Sequence, residues 1–176
     1  MGSLFLWAGS LVLFFSFVVW CVCKFGLLSC YSAYGPEWGK ITKPNIWSIV
    51  TFATAFMLVP VLLACTEGNP WQFTAFICPA SILFVALTPD YGTNKLAGIV
   101  HIIAASIGAV FSILVVVLIF PSLWWLIALY VVLATIAALI TGFKEHWDFW
   151  YEMAAYALIY TAVGVMLIKY GLKLVG

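Results

Sequence analysis

Residues 96–120 read LAGIVHIIAASIGAVFSILVVVLIF, and His101 is the one ionisable side chain among them. The rest are apolar residues, glycine, alanine and serine. A run of this length crosses the ~30 Å hydrocarbon core of a bilayer with some tilt to spare. Five more runs of the same kind lie at about 4–23, 46–65, 71–88, 123–141 and 147–168. The pattern predicts an all-α fold, with residues 1–176 forming one polytopic transmembrane bundle of six helices.

Composition supports the same solvent. The chain has 176 residues, 66% hydrophobic and 7% charged, where soluble domains carry about 25% charge. That deficit excludes an ordinary soluble domain, a disordered chain and a nucleic-acid binder. Net charge is +1, too little for a polybasic patch. All the bases are lysine, so the bidentate arginine clamp for carboxylate or phosphate is missing. The first run has no basic segment ahead of it and no Ala-x-Ala-like cleavage site, and is expected to be a retained helix rather than a signal. The five cysteines are too scattered for a disulfide framework, and Cys21-x-Cys23 is neither a zinc nor a thioredoxin spacing.

Between the runs the chain alternates long and tight connections. Residues 24–45 form the longest. They mix Tyr31, Tyr34 and Trp38 with Gly35-Pro36, as expected of a segment anchored at the membrane interface or of a lid over a site. Thr66 to Pro70 and Pro89 to Lys95 read as polar turns. Only Pro121-Ser122 separates the fourth and fifth runs, which are therefore expected to be antiparallel neighbours, with the fourth central and the first peripheral. Pro60 and Pro79 predict kinks. Trp47, Trp71, Trp124, Trp125, Trp147 and Trp150 fall near run ends, where aromatic belts form.

Six crossings place both termini on one side. The odd-numbered connectors carry Lys24, Lys40, Lys43, Lys95 and Lys144, against Lys169 and Lys173 opposite. Lysine excess marks the cytoplasmic face, giving a multi-pass protein of a cell membrane, with a bacterial inner membrane expected and both termini outside. Tryptophans also recur at similar separations, 24 residues (47 to 71) and 23 residues (124 to 147). A 3+3 inverted repeat, frequent in secondary transporters, fits that spacing. So does coincidence, because any run here tends to begin with tryptophan.

The candidate site lies in the half of the bundle nearest the lysines. His101 and Glu152 each sit about five residues inside a run that starts from that face, roughly 7.5 Å deep. Ionisable groups at such depth face the bundle interior or a wet cavity and find partners, so the two are expected to meet. Glu145, Asp148 and Glu152 share a helix face that Tyr156 extends. His101, Ala105, Gly108 and Ser112 form a stripe of small residues that lets another helix approach. Thr51 and Thr54 add polarity to the same half, although a helical threonine can bond its own backbone. The candidate ligand-binding set is thus His101, Glu152, Asp148, Thr51, Thr54 and Tyr156. Three roles fit the His101–Glu152 pair: a lock between helices, a ligand or proton site, and a catalytic or metal centre. No metal or cofactor is expected, since no HExxH, GxSxG or phosphate-binding loop occurs.

The segments Cys30-Tyr31-Ser32-Ala33-Tyr34-Gly35, Trp71-Gln72-Phe73-Thr74-Ala75-Phe76, Lys95 through His101 to Ala105, and Trp147-Asp148-Phe149-Trp150-Tyr151-Glu152-Met153 resemble a family of small bacterial integral membrane proteins built on a domain of unknown function. The resemblance spans nearly the whole chain and implies topology rather than chemistry. A remoter likeness is to the membrane-embedded hydrolase superfamily that includes the alkaline ceramidases. Those proteins set several membrane histidines, an aspartate and a serine around zinc. His101 is the one clearly embedded histidine here, and no catalytic residue carries over. The expected partners are membrane lipid and a small amphiphile or solute bound or moved through a cytoplasm-facing polar pocket. A lipid-modifying hydrolase and an accessory membrane subunit are the alternatives.

Overall fold

The computed structural model describes residues 2–171; Lys173, counted above against the lysine-rich face, lies outside them. Seven α-helices follow in order: α1 (Gly2–Phe25), α2 (Tyr34–Ile41), α3 (Ile46–Cys65), α4 (Gln72–Ala86), α5 (Lys95–Leu114), α6 (Trp125–Thr141) and α7 (Phe143–Gly171). Five of them, α1, α3, α5, α6 and α7, are long and apolar enough to cross a membrane. This corrects the expectation of six spanning helices.

Two local causes account for the difference. Helix α4 has 15 residues, about 22 Å at 1.5 Å per residue, well short of the ~30 Å core. The run at 71–88 looked longer because Trp71, Leu87 and Thr88 are apolar or neutral, yet they serve as the ends of the helix: Trp71 is its N-cap and Leu87 its C-cap. The connector 24–45 meanwhile folds a helix of its own, α2, preceded by a 3-10 turn at Tyr31–Ala33. The two halves of the chain therefore hold four helices and three, so the 3+3 repeat fails with the six-span count. Helix α2 buries Gly35 and, in the core, Tyr34 and Trp38.

Two helices, α3 and α5, start at side-chain caps. Asn45 accepts from the Trp47 amide at 3.0 Å, and Asn94 accepts from Leu96 and Ala97, satisfying orphan N–H groups. Gly142, at φ 109°, makes the reversal between α6 and α7 that a side chain would strain. Helices α3 and α4 run through Pro60 and Pro79 without a break.

Packing departs from the expected neighbours. Helix α5 packs along α4, α4 along α3, α3 along α1, and α6 along α7 rather than along α5. The end of α5 loosens into a π-type turn at Val115–Ile119, followed by a 3-10 turn at Pro121–Leu123. Those two turns redirect the chain, so the short Pro121-Ser122 link joins two helices that diverge. Nor is α5 central: it buries His101, Ala104, Gly108 and Ser112 along one face, while Leu96 and Ile102 stay exposed. Helix α1 contributes more to the interior than the expected peripheral role allows, burying Ser10, Phe14, Phe17, Val18 and Cys21. Phe14 lies 4.2 Å from Tyr156 and 5.3 Å from Tyr31, ring centre to ring centre. Large apolar side chains such as Phe5, Phe56, Phe84 and Ile140 cover the outside, a surface suited to lipid.

Candidate functional site

A cavity of about 490 Å³ opens between α3, α4, α5 and α7. Along α7 its lining runs from Asp148 to Tyr160, and along α5 from His101 to Ser112. By helical rise these stretches measure about 18 Å and 16 Å, roughly half the bilayer core. Its apolar wall includes Leu58, Leu62, Val85 and Ile159. Ile102, Ser106 and Ala109 line it and are also exposed. The cavity therefore reaches the outer surface along the flank of α5, inside a helix long enough to span.

His101 is 4% exposed. Its Nδ1 lies 3.0 Å from Thr88 Oγ1 and 3.2 Å from the Thr88 carbonyl. A carbonyl can only accept, and the Thr88 hydroxyl is within bonding distance of the Phe84 and Val85 carbonyls, to which it donates. Nδ1 therefore carries the proton, and in the neutral ring Nε2 is a bare acceptor. That Nε2 is buried and, among the described residues, has no hydrogen-bond partner. Tyr91 stacks on the imidazole at 4.2 Å and 23°. Glycine at position 98 makes room for this turn, since a Cβ there would meet the Tyr91 carbonyl at 2.9 Å. Burial, with Cys30 beside it, pushes the Tyr91 phenol up to about 12, so it stays neutral at physiological pH.

Glu152 is placed by a different device. Residues 28–31 run along α7 as a strap. His146 Nδ1 donates to the Leu28 carbonyl at 3.2 Å, the Phe149 amide to the Ser29 carbonyl at 2.9 Å, and the Tyr31 amide to Glu152 Oε2 at 2.6 Å. A carboxylate accepts about four hydrogen bonds, so one from Tyr31 leaves capacity for a ligand. Asp148, one turn nearer the strap end, is exposed at the rim. Opposite, Tyr160 closes the cavity floor, with Ser10 and Thr54 behind it. Ser10 donates to the Thr54 carbonyl at 2.9 Å, so Tyr160 donates to Ser10 at 2.6 Å.

Of the six residues marked by the sequence, His101, Glu152, Asp148 and Tyr156 line this one cavity. Thr51 and Thr54 do not. The Thr51 hydroxyl bonds the Tyr31 hydroxyl at 2.9 Å, behind the lining, and Thr54 donates to the Thr51 carbonyl at 2.9 Å. His101 and Glu152 share the cavity without bonding each other: one is held by Thr88, the other by Tyr31. Tyr31, Ser32, Cys30 and Tyr91 complete the polar end. They come from connectors, and the only hint of them in the sequence is aromatic residues in otherwise polar turns. Among the described residues, no three histidine, cysteine, aspartate or glutamate side chains converge as a metal would need. No protein-family model, no curated protein and no solved structure matches the chain.

Proposed function

We propose that this multi-pass membrane protein binds a small amphiphile in the cavity between α3, α4, α5 and α7, with the polar head at His101 and Glu152 and the apolar body toward Tyr160. One observation carries the reading: a cavity of about 490 Å³ with an apolar wall, a polar end holding an unpartnered buried Nε2, and an edge open along the flank of α5. Small-molecule sites have this size and this division of labour. An opening at membrane depth suits a ligand that partitions into lipid. Translocation would further require the Ser10–Tyr160 closure to break. Lipid hydrolysis at the same groups has less support, because the cavity-lining Ser112 gives its proton to the Ala109 carbonyl at 2.7 Å rather than to His101.

The lysine-rich end is proposed to face the cytoplasm. Helix α1 ends there at Lys24 and α7 begins there beside Lys144; α4, too short to span by its length, still returns the chain to that end, where Tyr91 stacks on His101, so Gly2 and Gly171 both lie toward the opposite face. The binding reading is tested with N-phenyl-1-naphthylamine, a neutral amphiphile that fluoresces when sheltered from water. Wild-type protein in nanodiscs should give a saturable signal above that of empty discs. Ala105→Phe, which fills the cavity from α5, should weaken it at least tenfold. Equal saturable binding by wild type and Ala105→Phe would overturn the site.

A further inference from the structure

Several of the cavity's polar groups have already committed their protons and present acceptors. Ser112 has spent its hydroxyl proton on the Ala109 carbonyl. Tyr160 has spent its own on Ser10, as shown above. Tyr151 lies 2.8 Å from Thr135 Oγ1, and Thr135 already donates to the Val131 carbonyl, so the Tyr151 proton goes to Thr135. His101 has committed its one N–H to Thr88 and leaves Nε2 bare inside a 4%-exposed residue. Asp148 and Glu152, one helical turn apart on one face of α7, add two carboxyl groups.

Among the described residues, no lysine lines the cavity. A carboxylate or phosphate ligand would meet two carboxyl groups and no base. The walls carry instead the rings of Tyr31, Tyr91, Tyr151, Tyr156 and Tyr160, and aromatic faces attract cations. An unpartnered acceptor, two carboxyl groups and phenol rings around one apolar void call for a ligand that brings both protons and positive charge.

We infer that the ligand of this cavity is a lipophilic amine in its ammonium form. Its N–H groups point at His101 Nε2 and the Glu152–Asp148 face, and its hydrocarbon runs along Leu58, Leu62 and Ile159 toward Tyr160. The inference rests on the amphiphile-binding reading and narrows it to one charge class.

The test uses three matched probes, 4-phenylbutylamine, 4-phenylbutanol and 4-phenylbutyrate, titrated calorimetrically into the full chain in phosphatidylcholine nanodiscs, with empty discs subtracted. The amine should bind at least tenfold tighter than the alcohol, and the carboxylate weakest of all. Glu152→Gln keeps an oxygen for the Tyr31 amide while removing the charge. It should cut amine affinity tenfold or more and lower that of the alcohol by a smaller factor. Asp148→Asn, at the exposed rim, should lower amine affinity severalfold, and it serves as the deciding variant if Glu152→Gln does not fold. Binding of the alcohol or carboxylate as tightly as the amine, or amine binding unchanged in the deciding variant, would overturn the cation while leaving a ligand cavity. Failure of all three probes to bind the wild type would overturn both readings.

Discussion

Thr88 decides which nitrogen of His101 is left as a bare acceptor. Its carbonyl requires a donor, so the proton sits on Nδ1. Imidazole ¹⁵N spectra of the protein should therefore show the Nδ1-protonated neutral tautomer, and an Nε2-protonated ring would contradict the assignment. The same bonding separates His101 from Glu152 energetically. Each has its own partner, so His101→Leu and Glu152→Gln should destabilise the ligand-free protein additively, to within about 0.5 kcal/mol. Each loss should be modest, since membrane hydrogen bonds average about 0.6 kcal/mol. Coupling should emerge only with 4-phenylbutylamine present, through the ligand they share, and strong coupling in its absence would mean that the two side chains meet directly. His101, Glu152, Asp148 and Tyr156 were legible because ionisable groups in apolar runs are costly and helical period places them on one face. Thr51 and Thr54 share their depth but not their direction, and depth alone was readable. Tyr31 and Tyr91 reach the site by chain reversal, which leaves no periodic mark.

Among the elements, α4 and α5 approach closely at Gly108. A Cβ on Gly108 would lie 2.8 Å from Ser81 Oγ and 3.8 Å from Ser81 Cβ. Gly108→Ala should therefore lower stability by about 1–3 kcal/mol, the usual cost of overpacking. Adding Ser81→Ala removes the offending oxygen and should recover most of that loss in detergent melting curves. A double variant no better than Gly108→Ala would mean the two helices do not touch at this point. The stripe of small residues that predicts close approach on α5 was readable at residue level. The length of α4 was not, because capping residues that are themselves apolar extend a hydropathy run beyond the helix. The divergence of α5 from α6 was equally hidden: a short link ties two ends together and says nothing of the angle between axes.

At the scale of the molecule, the connectors holding Leu28 and Tyr91 gather at one end with His146 of α7, because the strap binds α7 and Tyr91 stacks over the base of α5. With that end in the cytoplasm, single cysteines placed at Lys43 or Lys144 in a cysteine-free background should resist an impermeant maleimide in intact cells. A cysteine at Glu67, in the turn between α3 and α4, should react. The opposite labelling pattern would invert the orientation. The solvent of the protein and the sense of its lysine asymmetry were open to inspection in the sequence. The number of spanning helices was not, since it turned on the ends of one run and on a connector that folds.

The strap joins residues far apart along the chain. Leu28 and Tyr31 meet His146 and Glu152 across sequence separations of 118 and 121 residues. A ribosome feeding this chain into a membrane delivers the Tyr31 amide early and its carboxylate partner only with α7. Until then, α3, α4 and α5 enclose a void with one wall missing and no acidic face. Amine binding should accordingly be all-or-none during biogenesis: nascent chains arrested before Trp147 are inserted but blind to the ligand, and competence arrives with a single helix.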